Sequence, residues 1–202
     1  MQLFGLDCNP KRAARMLCNT HITSQARETT QILFTVLWLW GAKVDEFVDC
    51  GEHGFETLYK PAYKSHPIVL WAAASRAHTR WVYNHARAIM AAYKKRSGGK
   101  THLCSYHIEH WRAHIRANGW PKRMPRHTTT DEWCKANPTH KWRVARINQP
   151  CGCAFGIIAF DMKGPRRRPY DDWTHSYAEY YLHKRFFSFR RGMQWGRFKK
   201  AR

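Results

Sequence analysis

The sequence predicts a mainly α protein: one compact helical domain with a short N-terminal strand and a basic, aromatic C-terminal helix. Three observations carry that expectation. Apolar residues recur at helical spacing in several segments. Helix start and stop residues bracket those segments. Apolar residues make up 44% of the 202, enough to bury a core. The length suits a single domain, divided here into a helical core over residues 1–160 and a basic aromatic extension over 161–202 packed on it.

The elements follow in order. Residues 2–6 read as a short strand. Asn9-Pro10 then supplies an N-cap and a proline at the first helical position, opening a helix to about residue 18. A second helix covers about residues 23–40, with Ile32, Leu33, Val36, Leu37 and Trp40 on the helical period and Gly41 as its stop. Residues 43–56 hold five of the 14 acidic residues (Asp45, Glu46, Asp49, Glu52 and Glu56) and two glycines, which reads as a surface loop. His66-Pro67 opens the longest helix, expected over 67–96 and ended by Ser97-Gly98-Gly99. A fourth helix spans 101–118, where Cys104, Ile108, Trp111 and Ile115 form one stripe before Gly119. Residues 120–150 contain four prolines and read as irregular. Residues 153–160 are a short apolar run, and 172–191 a last, strongly aromatic helix stopped by Gly192.

Charge narrows the partner. Thirty-five Lys+Arg stand against 14 Asp+Glu, a formal net charge of +21, so the chain repels itself unless it meets a polyanion. Counterion release makes a nucleic-acid backbone, DNA or RNA, the favoured partner. The longest apolar stretch, residues 36–40, is far short of the ~18–20 residues of a membrane span, and the N-terminus lacks the charged region of a signal peptide. Seven cysteines at irregular spacing argue for reduced thiols and a cytoplasmic protein. The sequence says nothing of oligomeric state.

Three constellations could carry chemistry. On the second helix, Glu28 is the only acid between Asp7 and Asp45, and His21 lies seven residues before it, so both could share a face. A structural ion pair is the competing reading, and Arg27 points to a different face. On the longest helix, Trp71, Ser75, His78, Val82, His85 and Ile89 share one side, where Ser and His groups within an apolar stripe need partners. From Lys163 onward, 12 Lys+Arg against three acids are interleaved with aromatics, a pattern suited to phosphate contact and base stacking. Arg166, Arg167, Arg168, Lys184, Arg185, Arg190 and Arg191 are expected to bind nucleic acid. A metal site is not expected: Cys104, His107, His110, Cys134, Cys151 and Cys153 do not make a zinc framework, and no carboxylate cluster suits two metals.

The stretch His21-Ile22-Thr23-Ser24-Gln25-Ala26-Arg27-Glu28 resembles the key helix of the phage pyrimidine-dimer DNA glycosylases, also called UV endonuclease V, with a His, an Arg six residues later and then a Glu. Further landmarks are similar: Gln31, Tyr63-Lys64-Ser65-His66-Pro67 with Trp71, Ser75, Trp81, and Tyr177, Tyr180, Tyr181, Lys184 and Trp195. The resemblance implies a glycosylase with AP-lyase activity, working without metal or cofactor through an amine nucleophile in the host cytoplasm. It implies catalytic roles for Met1, Glu28, His21 and Arg27, and a pocket of Gln31, Trp71, Ser75 and His78. Lys60, Lys64 and His66 would contact nucleic acid, and the two lysines are alternative amines. Family members that lose Met1 attack with a small residue's amine. Gln2 is too large for efficient removal of Met1, so Met1 itself would be the nucleophile here. The last 60 residues have no counterpart in the best-known members. Two other readings stay open, a non-catalytic nucleic-acid binder and an enzyme acting on a modified base.

Overall fold

The computed structural model describes residues 3, 5, 7 and 9–126. In chain order these form helices α1 (Pro10–Met16) and α2 (Asn19–Leu39), a hairpin of β1 (Phe47–Asp49) and β2 (Phe55–Thr57), and helices α3 (Pro67–Ala73), α4 (Arg76–Arg96) and α5 (Cys104–Asn118). The mainly α expectation holds. Of residues 2–6, the structure describes Leu3, buried in the core, and Gly5. Residues 127–202 lie outside the described set, and with them the expected elements at 153–160 and 172–191 and the boundary at 160/161.

Local chemistry sets most helix ends. The Asn9 side chain accepts the Lys11 and Arg12 N–H groups at 2.9 and 3.2 Å, capping α1. This helix stops at Met16, two residues earlier than expected, because Leu17 turns extended. Arg96, at the end of α4, fills that corner by donating to the carbonyls of Leu17 (2.7 Å) and Arg15 (3.1 Å) and to Asn19 Oδ1 (3.3 Å). Helix α2 begins earlier than expected and so includes His21. It ends in a Schellman motif: Gly41 has φ +71°, its N–H bonds Trp38 O at 2.9 Å, and the Ala42 N–H bonds Leu37 O at 3.0 Å.

Two expectations are corrected. Residues 43–56 are not simply a loop. Phe47 pairs with Thr57, Val48 with Glu56 and Asp49 with Phe55 in an antiparallel ladder. Val48 is buried between exposed neighbours, and Gly51 and Gly54 supply the positive φ values the turn requires. Nor is 67–96 one helix. It breaks at Ser75, whose backbone is extended (φ −159°, ψ 162°) and whose hydroxyl accepts the His78 N–H at 3.3 Å. The break persists because side chains satisfy the carbonyls that α3 leaves open. His78 Nδ1 bonds Trp71 O at 2.8 Å, Thr79 Oγ1 bonds Ala72 O at 2.7 Å, and the Trp40 indole bonds Ala73 O at 2.8 Å. The first amides of α4 donate to residues that follow α5: Arg76 N–H to Pro125 O at 2.8 Å and Ala77 N–H to Arg126 O at 3.1 Å.

The core runs between α2, α3, α4 and α5, around Leu33, Leu37, Ile68, Val82, Ile89 and Ile108. The Trp111 indole donates to Leu33 O at 3.1 Å and its ring stacks on Tyr83, locking α5 to α2 and α4. No helix among the described residues is long and apolar enough to cross a membrane.

Candidate active site

Helix α2 carries the candidate catalytic residues, and its start at Asn19 decides their arrangement. At ~3.6 residues per turn, His21, Gln25 and Glu28 fall along one side. Gln25 is fully buried and its Nε2 donates to Glu28 Oε2 at 3.4 Å. Glu28 is half-buried, so a buried amide steadies a carboxylate that still reaches the surface. The neighbouring threonines do not compete for it. Thr29 and Thr30 turn their hydroxyls back onto the helix, to Gln25 O (2.6 Å) and Ala26 O (2.7 Å).

Arg27 lies on another side of α2. Its charge is felt by Tyr59, His102 and Cys104, among which the Tyr59 hydroxyl and Cys104 Sγ are 3.3 Å apart. Burial first, and then the Arg27 charge, lower the pKa of His102. The structure therefore puts His21 and Glu28 on one side of α2, two turns apart, and Arg27 on another. Gln31 is half-buried, one turn beyond Glu28, and its carbonyl accepts the Thr35 hydroxyl at 2.7 Å.

The remaining candidates fall at the α3–α4 junction and on the segment before it. Trp71, Ser75 and His78 are buried. Trp71 and His78 stack with centroids 4.6 Å apart and planes at 16°, and Ser75 caps α4. Their polar atoms hold the helix break. His66 caps α3, its Nδ1 accepting the Ile68 N–H at 3.3 Å, and burial lowers its pKa. A ring that accepts at Nδ1 and resists protonation is a neutral imidazole near pH 7, protonated at Nε2. Lys60 and Lys64 are exposed, and Lys64 Nζ lies 3.5 Å over the Trp38 ring. Met1, Arg166, Arg167, Arg168, Lys184, Arg185, Arg190 and Arg191 lie outside the described residues.

Sequence reasoning missed Gln25, Thr35 and Tyr59. A glutamine three residues before the only acid of an apolar helix was the available signal for the first; Thr35 and Tyr59 gave none. Among the described residues, no group of three or more His, Cys, Asp or Glu is placed to hold a metal ion. Cys104 and His107 pack around Tyr59, and Cys18, Cys50 and Cys104 are buried.

No curated protein and no solved structure matches the chain. A family model described as pyrimidine dimer DNA glycosylase matches residues 1–106. That span takes in α1 to α4, and with them the His21–Glu28 helix, the His66 cap and the Ser75 break. The chain therefore belongs to the pyrimidine dimer DNA glycosylase family, a family of DNA-repair enzymes whose partner is DNA.

Proposed function

We propose that the protein is a DNA glycosylase with AP-lyase activity, in which an amine attacks the sugar and Glu28 manages the protons. The observation that carries this reading is the half-buried Glu28, the only acid on α2, steadied by buried Gln25 on the side of the helix shared with His21.

The amine lone pair forms a bond to C1′ while the glycosidic C1′–N bond breaks, and the base departs with that electron pair and acquires a proton. Opening of the sugar ring, with loss of an amine proton, yields a protonated Schiff base. Removal of a C2′ proton then expels the 3′ phosphate by β-elimination, and water hydrolyses the imine to free the amine. Glu28 suits the proton transfers, and its negative charge stabilises the cationic intermediate. His21 and Arg27 are assigned to holding the amine or the phosphates. We assign the attack to the α-amine of Met1, with Lys60 and Lys64 as the alternatives. An α-amine, with a reference pKa near ~7.7–8.0, is partly deprotonated at neutral pH.

Borohydride trapping on duplexes bearing an abasic site or a thymine dimer tests this. A covalent complex on both is expected, lost on blocking the α-amine and reduced at least about 100-fold in rate by Glu28→Gln. Tight, salt-sensitive binding with no trapped species would leave a nucleic-acid binder and overturn the reading.

A further inference from the structure

Residues 61–66 join the hairpin to α3, and Tyr63 stands out among them. Its φ is +53°, and it is the one non-glycine with a positive φ among the described residues. A residue with a Cβ disfavours that region, and it persists only where the surroundings impose it. Both flanks of Tyr63 are pinned. The Thr35 hydroxyl gives its proton to Gln31 O at 2.7 Å and accepts the Ala62 N–H at 3.2 Å. On the other side the His66 N–H closes a turn onto Tyr63 O at 2.8 Å, while the His66 ring caps α3. The constraint does not bury the ring: Tyr63 is 62% exposed. Lys64 follows it, with Nζ 3.5 Å above the face of Trp38, a half-exposed residue three positions beyond Thr35 on α2. The indole face is thus occupied in holding a cation.

We propose that Tyr63 and Lys64 form a nucleotide-binding strap, with Tyr63 stacking on an unstacked base next to the damaged one and Lys64 holding an adjoining phosphate. Three features point to DNA rather than to a protein partner. Residues 60–66 contain two lysines and no acid. An aromatic ring followed by a cation matches the base and phosphate of one nucleotide. The strap is seated at Thr35, seven residues along α2 from Glu28, or about 10 Å at ~1.5 Å per residue. It lies within a few nucleotides' reach of the candidate catalytic carboxylate. The inference deepens the glycosylase reading by naming how the flanking strand is held. It needs DNA as the substrate and, with Lys64 on a phosphate, leaves the nucleophile to Met1 or Lys60.

The test uses the full chain and a duplex carrying a tetrahydrofuran abasic analogue, which has no C1′ leaving group and cannot form a Schiff base. The flanking base is 2-aminopurine, whose fluorescence reports stacking. Tyr63→Ala is expected to weaken binding about tenfold or more and to abolish the protein-induced fluorescence change. Tyr63→Phe keeps both. Tyr63→Gly relieves the left-handed backbone and so keeps the melting temperature while losing binding, which separates use of the ring from damage to the fold. Lys64→Ala lowers the salt dependence by about one phosphate contact. Parental affinity and fluorescence in Tyr63→Ala and Tyr63→Gly would overturn the proposal. So would an equal loss on an undamaged duplex, since no base there is unstacked. Because this duplex cannot be trapped, the result stands apart from the borohydride assay. Trapping that survives Glu28→Gln would sink the catalytic assignment and leave the strap to be judged on its own readout.

Discussion

Acidification from pH 7 to 4 is expected to unfold much of the protein's stability, and His85 on α4 is the group through which the loss can be followed. Its imidazole is fully buried, with Nδ1 3.0 Å from Pro10 O and the ring stacked on Trp81 at 4.9 Å. Its Nε2 has no hydrogen-bond partner among the described residues, so a second ring proton would be buried without an acceptor. Burial drives the pKa down from 6.5 to about 4, against the pull of the Pro10 carbonyl, which favours the protonated ring. The sign follows from linkage. Above pH 6.5 the ring is neutral in both the folded and the unfolded chain, and the full stability is present. Between 6.5 and about 4 only the unfolded chain takes up the proton, so stability falls across that window. The gap from 6.5 to about 4, at about 1.4 kcal/mol per pH unit, is roughly 3 kcal/mol, a large share of the ~5–15 kcal/mol of a typical domain. Urea unfolding from pH 7.5 to 4 measures it. His66, His102, His107 and His114 also have pKa values lowered chiefly by burial and steepen the same window. The difference between the parent and His85→Gln isolates His85, since the amide can still donate to Pro10 O but does not titrate. The variant should lose close to one proton's worth of slope below pH 6.5. An identical slope in both proteins would refute the reasoning.

Three further outcomes are expected. Arg96→Met removes the guanidinium that bonds Leu17 O, Arg15 O and Asn19 Oδ1, and should cost about 1–3 kcal/mol in urea unfolding, because the carbonyl of buried Leu17 loses a charged donor at the α1–α2 corner. Ser75→Ala removes the α4 cap and should cost about 1 kcal/mol, with Thr79 keeping its bond to Ala72 O and the helix break intact by hydrogen exchange. Gly119→Ala meets no atom within 4 Å of its new Cβ, so any loss, about 1–3 kcal/mol, reports only a backbone conformation (φ +73°, ψ −177°) that is essentially confined to glycine, and should appear as a lower melting temperature.

How much was legible in advance follows from the range of each interaction. Asn9 and Pro10 cap and start α1 through partners two and three residues away, and Gly41 and Gly119 end α2 and α5 through their own φ, so the sequence by itself determined those boundaries. The stripe from Trp71 through His85 to Ile89 was legible as a buried face, and it is buried. The seven-residue spacing of His21 and Glu28 was legible as one side of a helix once that helix began early enough. The break at Ser75 was not legible, because its open carbonyls and amides are satisfied by Trp40 from α2 and by residues 125 and 126, far away in the chain. The hairpin was hidden because a two-stranded ladder of three residues each leaves only Val48 as an inward position. At the candidate site, the tertiary structure alone decided that Gln25 is buried, that the Arg27 charge is felt at Tyr59 and His102, and that Thr35 pins Ala62. Helical period and capping are local properties of neighbouring residues. Burial and the choice among possible hydrogen-bond partners belong to the packed chain, and only packing brought these groups together.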